Sequence, residues 1–351
     1  MERLKLAVAG CGLIGRKHVG LIAAADACDL VAVADPDAAA RAACAGDGVC
    51  QFDTIEDLLG GVACDGVIIA TPNQSHSADA IAAIEAGVPA LVEKPIADTA
   101  RNAQAIVAAA EACGIPILVG HHRRHAPAIA RAQALIANGR LGRVVAAHGS
   151  FWCPKPDAYF DVAWRRAPGA GPILINLIHD IDLLRALVGE VVRVQAVGAN
   201  AVRGFEVADT AAVILQFANG ALGTFTISDA VVGPWSWEMT AGENPAYPAT
   251  TESCYWIGGT KGSLALPDFT LWSQKGAPDW WAPIHAAREV APPGDPLVAQ
   301  LRNFCDVIRG VGEPVVTARE GAQSLAVLSA IEASVANAGA SIDVEAYTST
   351  G

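Results

Sequence analysis

The 351-residue sequence has no Cys-x-x-Cys pair and no zinc-type spacing among its nine cysteines, an odd number. Neither a disulfide framework nor a structural metal is indicated, and the cysteines read as reduced core thiols of a cytoplasmic protein. No apolar run approaches the roughly 18 to 20 residues a membrane span requires. The opening, Met1-Glu2-Arg3 followed at once by a strand-like run, lacks the basic, apolar and small-residue succession of a signal peptide. Charge is also scarce, at 17% against 52% hydrophobic residues, which excludes disorder. The net charge of −12 argues against nucleic acid as a partner, because that binding needs a basic face.

What charge there is divides unevenly. Residues 1–120 carry 7 basic and 15 acidic side chains, a net −8, whereas residues 121–166 carry 8 basic and 2 acidic, a net +6. The second stretch reads as a solvated helix face, or as an attractor of an anionic substrate or cofactor phosphates. The length suits two domains, with a boundary near residue 120: 1–120 and 121–351.

Leu4 to Ala9 is an apolar run closed by Gly10-Cys11-Gly12-Leu13-Ile14-Gly15 and followed by a helical pattern from Arg16 to Ala25. A G-x-G-x-x-G between strand and helix is a dinucleotide signature: Gly10 for the tight turn, Gly12 for backbone approach to a pyrophosphate, Gly15 for close helix packing. A second strand, Leu30 to Ala34, ends at Asp35, twenty residues past Gly15, where an acid accepts hydrogen bonds from the adenosine ribose. NAD is favoured over NADP, since Pro36 rather than an arginine follows Asp35.

Strand and helix patterns alternate onward through residue 119, as six β/α units. One buried run, 66–70, ends in Thr71-Pro72-Asn73-Gln74-Ser75-His76, and another, Val88 to Val92, ends in Glu93-Lys94-Pro95. Asn73 and His76 sit where a polar loop meets a cofactor, or where ordinary turn and cap chemistry would place them. Glu93 and Lys94 read as an exposed ion pair of little worth, or as ligand-facing groups, since open α/β sheets bind at their carboxyl strand ends. Pro95 restricts Lys94 to an extended or turn conformation, and the bond before a proline admits the cis form.

After a helix at 126–138, long alternating runs at 143–152, 191–202, 211–217, 221–228, 255–258 and 262–266 suit an antiparallel sheet with one covered face. Asn219-Gly220 signals a hairpin. Residues 229–251 and 268–293 read as irregular, a rim over the site or a subunit contact. Helices near 297–308 and 318–338 close the chain, with room to return to the first domain.

Gly10 to Gly15, Thr71-Pro72-Asn73 with His76, and Glu93-Lys94-Pro95, joined by Trp164-Arg165, Gly169-Ala170-Gly171 and His179 with Asp182, together resemble the Gfo/Idh/MocA family of NAD(P)-dependent oxidoreductases. The resemblance implies an α/β protein: an N-terminal Rossmann doubly wound parallel sheet, then a C-terminal α/β domain with a large open, mostly antiparallel sheet. It implies an NAD-dependent dehydrogenase oxidising a secondary alcohol of a sugar, cyclitol or related polyhydroxy compound, including an acid such as a cyclic diol carboxylate. Lys94 and His179 would be catalytic. Cofactor contacts would come from Gly10, Gly12, Leu13, Ile14, Gly15, Asp35, Thr71, Pro72, Asn73, His76, Glu93, Lys94, His122, Trp164 and Arg165. Substrate contacts would come from Lys94, Arg123, Arg124, Asn176 and His179. A homodimer or homotetramer would cover the open sheet.

Alcohol oxidation needs a base for the hydroxyl proton and a positive group for the developing alkoxide, roles that His179 and Lys94 suit in either assignment. Family members commonly carry aspartate four residues before this histidine. Here the position is Ile175, with Asn176 beside it and Asp180 and Asp182 following. The cluster His121-His122-Arg123-Arg124-His125 could place His121 and His125 on one helical face, but no matching carboxylate or cysteine accompanies them, so no metal is assigned. An alternative reading is a non-catalytic NAD(P)-sensing regulatory protein. Retention of Lys94 and His179 favours the enzyme.

Overall fold

The computed structural model describes residues 2–290 and 293–348, so Met1 and positions 291–292 of the stretch read as irregular lie outside the described residues. The described residues form two compact units: 2–125 with 294–325 and 348, and 126–290 and 293 with 326–347.

The first unit alternates β1 (Leu4–Ala9), α1 (Leu13–Ala24), β2 (Cys28–Ala34), α2 (Ala38–Cys44), β3 (Cys50–Phe52), α3 (Ile55–Gly61), β4 (Gly66–Ile69), α4 (His76–Glu85), β5 (Ala90–Val92), α5 (Ala100–Cys113) and β6 (Ile117–Val119). Among the described residues its sheet is six-stranded and parallel, in the order β3-β2-β1-β4-β5-β6. The order reverses between β1 and β4, which makes the carboxyl ends of these strands the ligand crevice of the fold. Because both faces are covered, the central strands run apolar without alternation over residues 6–9, 30–34, 66–69, 90–92 and 117–119. Ala7, Ala9, Val67, Ile69 and Val92 face a core shared with Leu58, Ala83 and Ile106 of α3, α4 and α5. Leu6, Val8, Ile68 and Leu91 face the other side, toward Ile22 of α1.

The second unit starts with α6 (Pro127–Ala137) and β7 (Val144–Trp152), then a π-helical turn (Ile173–Leu177) running into α7 (Ile178–Val188). β8 (Val191–Ala199), β9 (Thr210–Phe217), β10 (Leu222–Ser228), the short α8 (Trp237–Thr240), β11 (Tyr255–Gly259), β12 (Gly262–Leu266), β13 (Thr270–Ser273) and β14 (His285–Arg288) follow. The chain closes with α9 (Pro296–Ile308), α10 (Ala318–Ala336) and β15 (Ile342–Asp343). Among the described residues this sheet has nine strands, ordered β14-β13-β12-β11-β7-β10-β9-β8-β15, with β7 and β10 parallel and the other pairs antiparallel.

In β9 the alternation is strict: Ala211, Val213, Leu215 and Phe217 are buried while Ala212, Ile214 and Gln216 are exposed. The buried set packs with Ile129 of α6, Ile181 and Leu184 of α7, and Leu328 and Ile331 of α10. The stretch read as irregular from Asp268 contributes β13 and β14 as edge strands. Their short length and Gly/Pro-rich flanks hid the pattern.

α9 covers the second face of the first unit's sheet, where Leu301, Phe304 and Cys305 join Leu6, Val8 and Leu118. Gly66, at the start of β4, leaves room for it: a Cβ there would lie 2.6 Å from Ile308 and 2.9 Å from Phe304.

Candidate functional site

The glycine loop of the first unit is built as its motif demands. Gly10 has φ +92°, and a Cβ on it would lie 2.4 Å from the Ala70 carbonyl oxygen. A Cβ on Gly15 would lie 1.8 Å from the Gly10 oxygen, so the first turn of α1 closes directly on the loop. At Gly12 a Cβ would meet nothing within 4 Å among the described residues. The space above Gly12 is therefore open.

Gly12 is also the amino cap of α1, and that end carries no side-chain cap and no acidic residue in its first turn among the described residues. The uncapped N–H groups and positive end of the helix dipole are available to a phosphate. Leu13 and Ile14 beside it are 87% and 46% exposed, apolar surface that a bound nucleotide would cover.

Asp35 follows β2 next to this cradle. Its Oδ2 accepts from the Cys11 N–H at 2.7 Å and its Oδ1 from the Asp37 N–H at 2.9 Å. A carboxylate has about four acceptor sites, so two backbone bonds orient it and still leave it able to take both ribose hydroxyls. Arg41 of α2 donates to the Asp35 carbonyl and pairs with Asp53 at 2.6 Å. These residues fit an NAD adenosine and pyrophosphate.

The loops after β4 and β5 are tied together by His76, whose Nδ1 lies 2.8 Å from the Pro95 carbonyl oxygen and whose Nε2 lies 2.8 Å from that of Thr71. The Thr71 hydroxyl donates to Asp79 at 2.5 Å, and the Ser75 N–H to the Pro72 carbonyl at 2.8 Å, so Thr71, Pro72 and Asn73 lie on the turn that opens α4. The Lys94–Pro95 peptide bond is cis.

Glu93 is buried, and His18 of α1 lies 2.8 Å from its Oε1 while the Lys94 N–H donates to Oε2 at 3.2 Å. Burial pushes the Glu93 carboxyl up, but the bond and charge of His18, with Lys94 and His122 behind them, outweigh it and hold it at about 2. Gly120 makes room for this group, since a Cβ there would lie 2.9 Å from the carboxylate.

The cluster after β6 forms a 3₁₀ turn at His122–His125, not an α-helix. Lost hydration, then the charges of Arg123 and Lys94, hold His122 down at about 3 against the pull of Glu93, so this imidazole is neutral at pH 7. Arg123 is buried, and Arg124 pairs with Glu320 of α10 at 2.9 Å. The first unit thus gathers Glu93, Lys94, His122 and Arg123 at neighbouring strand ends.

In the second unit Asn176 lies in the π-helical turn and His179 on the first turn of α7. Single-turn π segments recur at functional sites. His179 is buried, and the adjacent Asp180 accepts a hydrogen bond from the Tyr255 hydroxyl of β11. Asp182 is buried within α7. Arg165 donates to the Tyr159 carbonyl at 2.7 Å and stacks 4.0 Å over the Tyr159 ring, while Trp164 is 55% exposed.

One residue escaped the sequence reading. Lys155, just after β7, donates from Nζ to Asn176 Oδ1 at 3.0 Å and lies 3.7 Å from Asp229. Burial lowers its pKa against the pull of Asp229. The +6 stretch that contains Lys155 was the available signal, but a charge count does not distinguish a half-buried, paired lysine from a solvated one.

A switch-point sheet with an open phosphate cradle and a ribose-facing acid defines a dinucleotide-binding oxidoreductase scaffold. The comparisons give the family. The model described as "Oxidoreductase family, NAD-binding Rossmann fold" matches residues 4–121, and that described as "GFO/IDH/MocA C-terminal domain" matches residues 129–265. The chain is 31% identical to a levoglucosan dehydrogenase of Pseudarthrobacter phenanthrenivorans over 64% of this chain and 67% of that protein. It is 34% identical to the rhizopine catabolism protein MocA of Rhizobium meliloti, over 54% of this chain and 59% of that protein's length. A crystal structure of the WlbA dehydrogenase from Bordetella pertussis in complex with NADH and UDP-GlcNAcA superposes with TM-score 0.78 at 28% identity, over 97% of this chain and 99% of that one. The chain belongs to the Gfo/Idh/MocA family of oxidoreductases.

Proposed function

We propose that the protein is an NAD-dependent dehydrogenase that oxidises a secondary alcohol of a sugar, cyclitol or related polyhydroxy compound to the ketone. The observation that carries this is the open cradle at Gly12 beside an Asp35 already oriented for the ribose. Relatives named for dehydrogenation of such compounds support the substrate class. NAD, held at Gly12 and Asp35, would supply the hydride acceptor. The chain's own part is to handle the proton and the oxygen charge: Lys94 donates a hydrogen bond to the alcohol oxygen as it becomes an alkoxide, and His179 takes the hydroxyl proton. Glu93, ionised at any working pH, keeps a fixed negative charge beside the lysine.

The test is a substrate screen following NADH absorbance, with Lys94→Ala and His179→Ala run beside the parent chain. Each variant should lose about 100-fold or more in kcat/KM. Full activity of Lys94→Ala would overturn the roles assigned here, and cofactor binding without turnover of any polyhydroxy alcohol would favour the sensor.

The functional form is a homo-oligomer covering the outer face of the nine-stranded sheet. Val145, Val197, Ile214, Leu222, Trp256 and Trp272 are all exposed there. An apolar sheet face of this kind is the sort of surface a second copy buries. The free state of all nine cysteines suits a reducing, cytoplasmic setting.

A further inference from the structure

Lys155 is held from its own backbone: its N–H donates to the Asp229 carbonyl at 2.9 Å, and its carbonyl accepts from Arg203 at 2.9 Å. Its ammonium reaches Asn176 Oδ1 at 3.0 Å and rests 4.9 Å from the Tyr159 ring centroid. An ammonium has three protons and no lone pair, so the atom of Asn176 facing it must be the amide oxygen. The Asn176 NH2 group is thereby turned the other way, and no acceptor among the described residues takes its protons. With the amide oxygen drawn by a cation, those two protons are stronger donors than those of a free amide.

Asp229 is shared between Lys155 and Arg203, the latter at 3.1 Å, and Arg203 also lies 3.5 Å from Asp157. Arg165 has no carboxylate partner among the described residues, and its Nε is buried without a hydrogen bond. Ile175, four residues before His179, has no polar side chain, and the neighbouring Asn176 presents a donor.

We propose that Lys155 and Asn176 form a carboxylate-recognising element, with Asn176 donating to a substrate carboxylate and Lys155 acting as the positioning residue, so that the substrate is a sugar acid rather than a neutral polyol. This rests on the polyhydroxy-dehydrogenase reading for the alcohol, but not for the acid group.

The experiment is calorimetric titration of NADH-saturated protein with D-glucuronate and D-glucose, which differ at one carbon. The parent chain should bind glucuronate about 10-fold or more tightly than glucose. Lys155→Met should bring that ratio close to one, and Lys155→Arg should retain most of it. Asn176→Asp, which keeps the size and the tie to Lys155, should favour glucose. Equal binding of both sugars by the parent chain, binding of neither, or an unchanged ratio in Lys155→Met and Asn176→Asp overturns the proposal. Discrimination without turnover in a separate NADH-absorbance assay sinks the dehydrogenase reading and leaves this one standing, whereas turnover of neutral polyols without discrimination does the reverse.

Discussion

Glu93 shows how one buried side chain ties the site to stability. With its carboxyl held at about 2, below the ordinary glutamate value near 4.3, its contribution is complete above the unfolded value and is lost as pH falls through the folded one. Glu93→Gln should therefore cost on the order of a few kcal/mol at pH 7, and the gap to the parent should narrow between about pH 5 and pH 2. Urea midpoints at pH 7, 4 and 3 measure it, and a gap independent of pH would sink the idea. The three loop glycines separate in a comparable way. Gly15→Ala drives a Cβ into the Gly10 carbonyl and should destabilise the fold by roughly 2–4 kcal/mol. Gly12→Ala meets no protein atom, so its melting temperature should stay close to the parent's while NADH binding falls about 10-fold or more. Fluorescence titration with NADH beside thermal melts distinguishes the two. The motif announced these three roles, because they follow from backbone geometry that spacing encodes. Lys155 was not announced, because its importance lies in contacts with Asn176 and Asp229 farther along the chain.

At the scale of elements, the central strands of the first sheet were legible because two covered faces give them unbroken apolar runs, and those of the second because one covered face makes them alternate. β13 and β14 were not, since edge strands of four residues among Gly, Pro and Trp carry too few positions for a period to register. The π-helical turn before His179 was equally silent, as a single widened turn depends on what packs around it. α9 was legible as a helix, but its seat on the first sheet was not. Its fit depends on Gly66, and Phe304→Ala should cost about 3–5 kcal/mol, measured by chemical denaturation of the whole chain.

For the whole molecule, the exposed apolar face of the second sheet makes the oligomer a testable matter. Ile214→Asp with Leu222→Asp places charge on neighbouring strands and should shift sedimentation toward a smaller species without unfolding the chain; an unchanged species would overturn the proposed interface. By itself the sequence determined the Rossmann half, the cofactor loop and the family, because these rest on local periodicity and short fixed spacings. It also carried Lys94 to a strand end, since the pattern shows where an apolar run stops. Only the tertiary structure decided that Glu93 is locked to His18, that His122 is neutral, and that a half-buried lysine holds the Asn176 amide by its oxygen. Each of these depends on burial and on partners distant in the chain, and neither quantity is written in the spacing of residues.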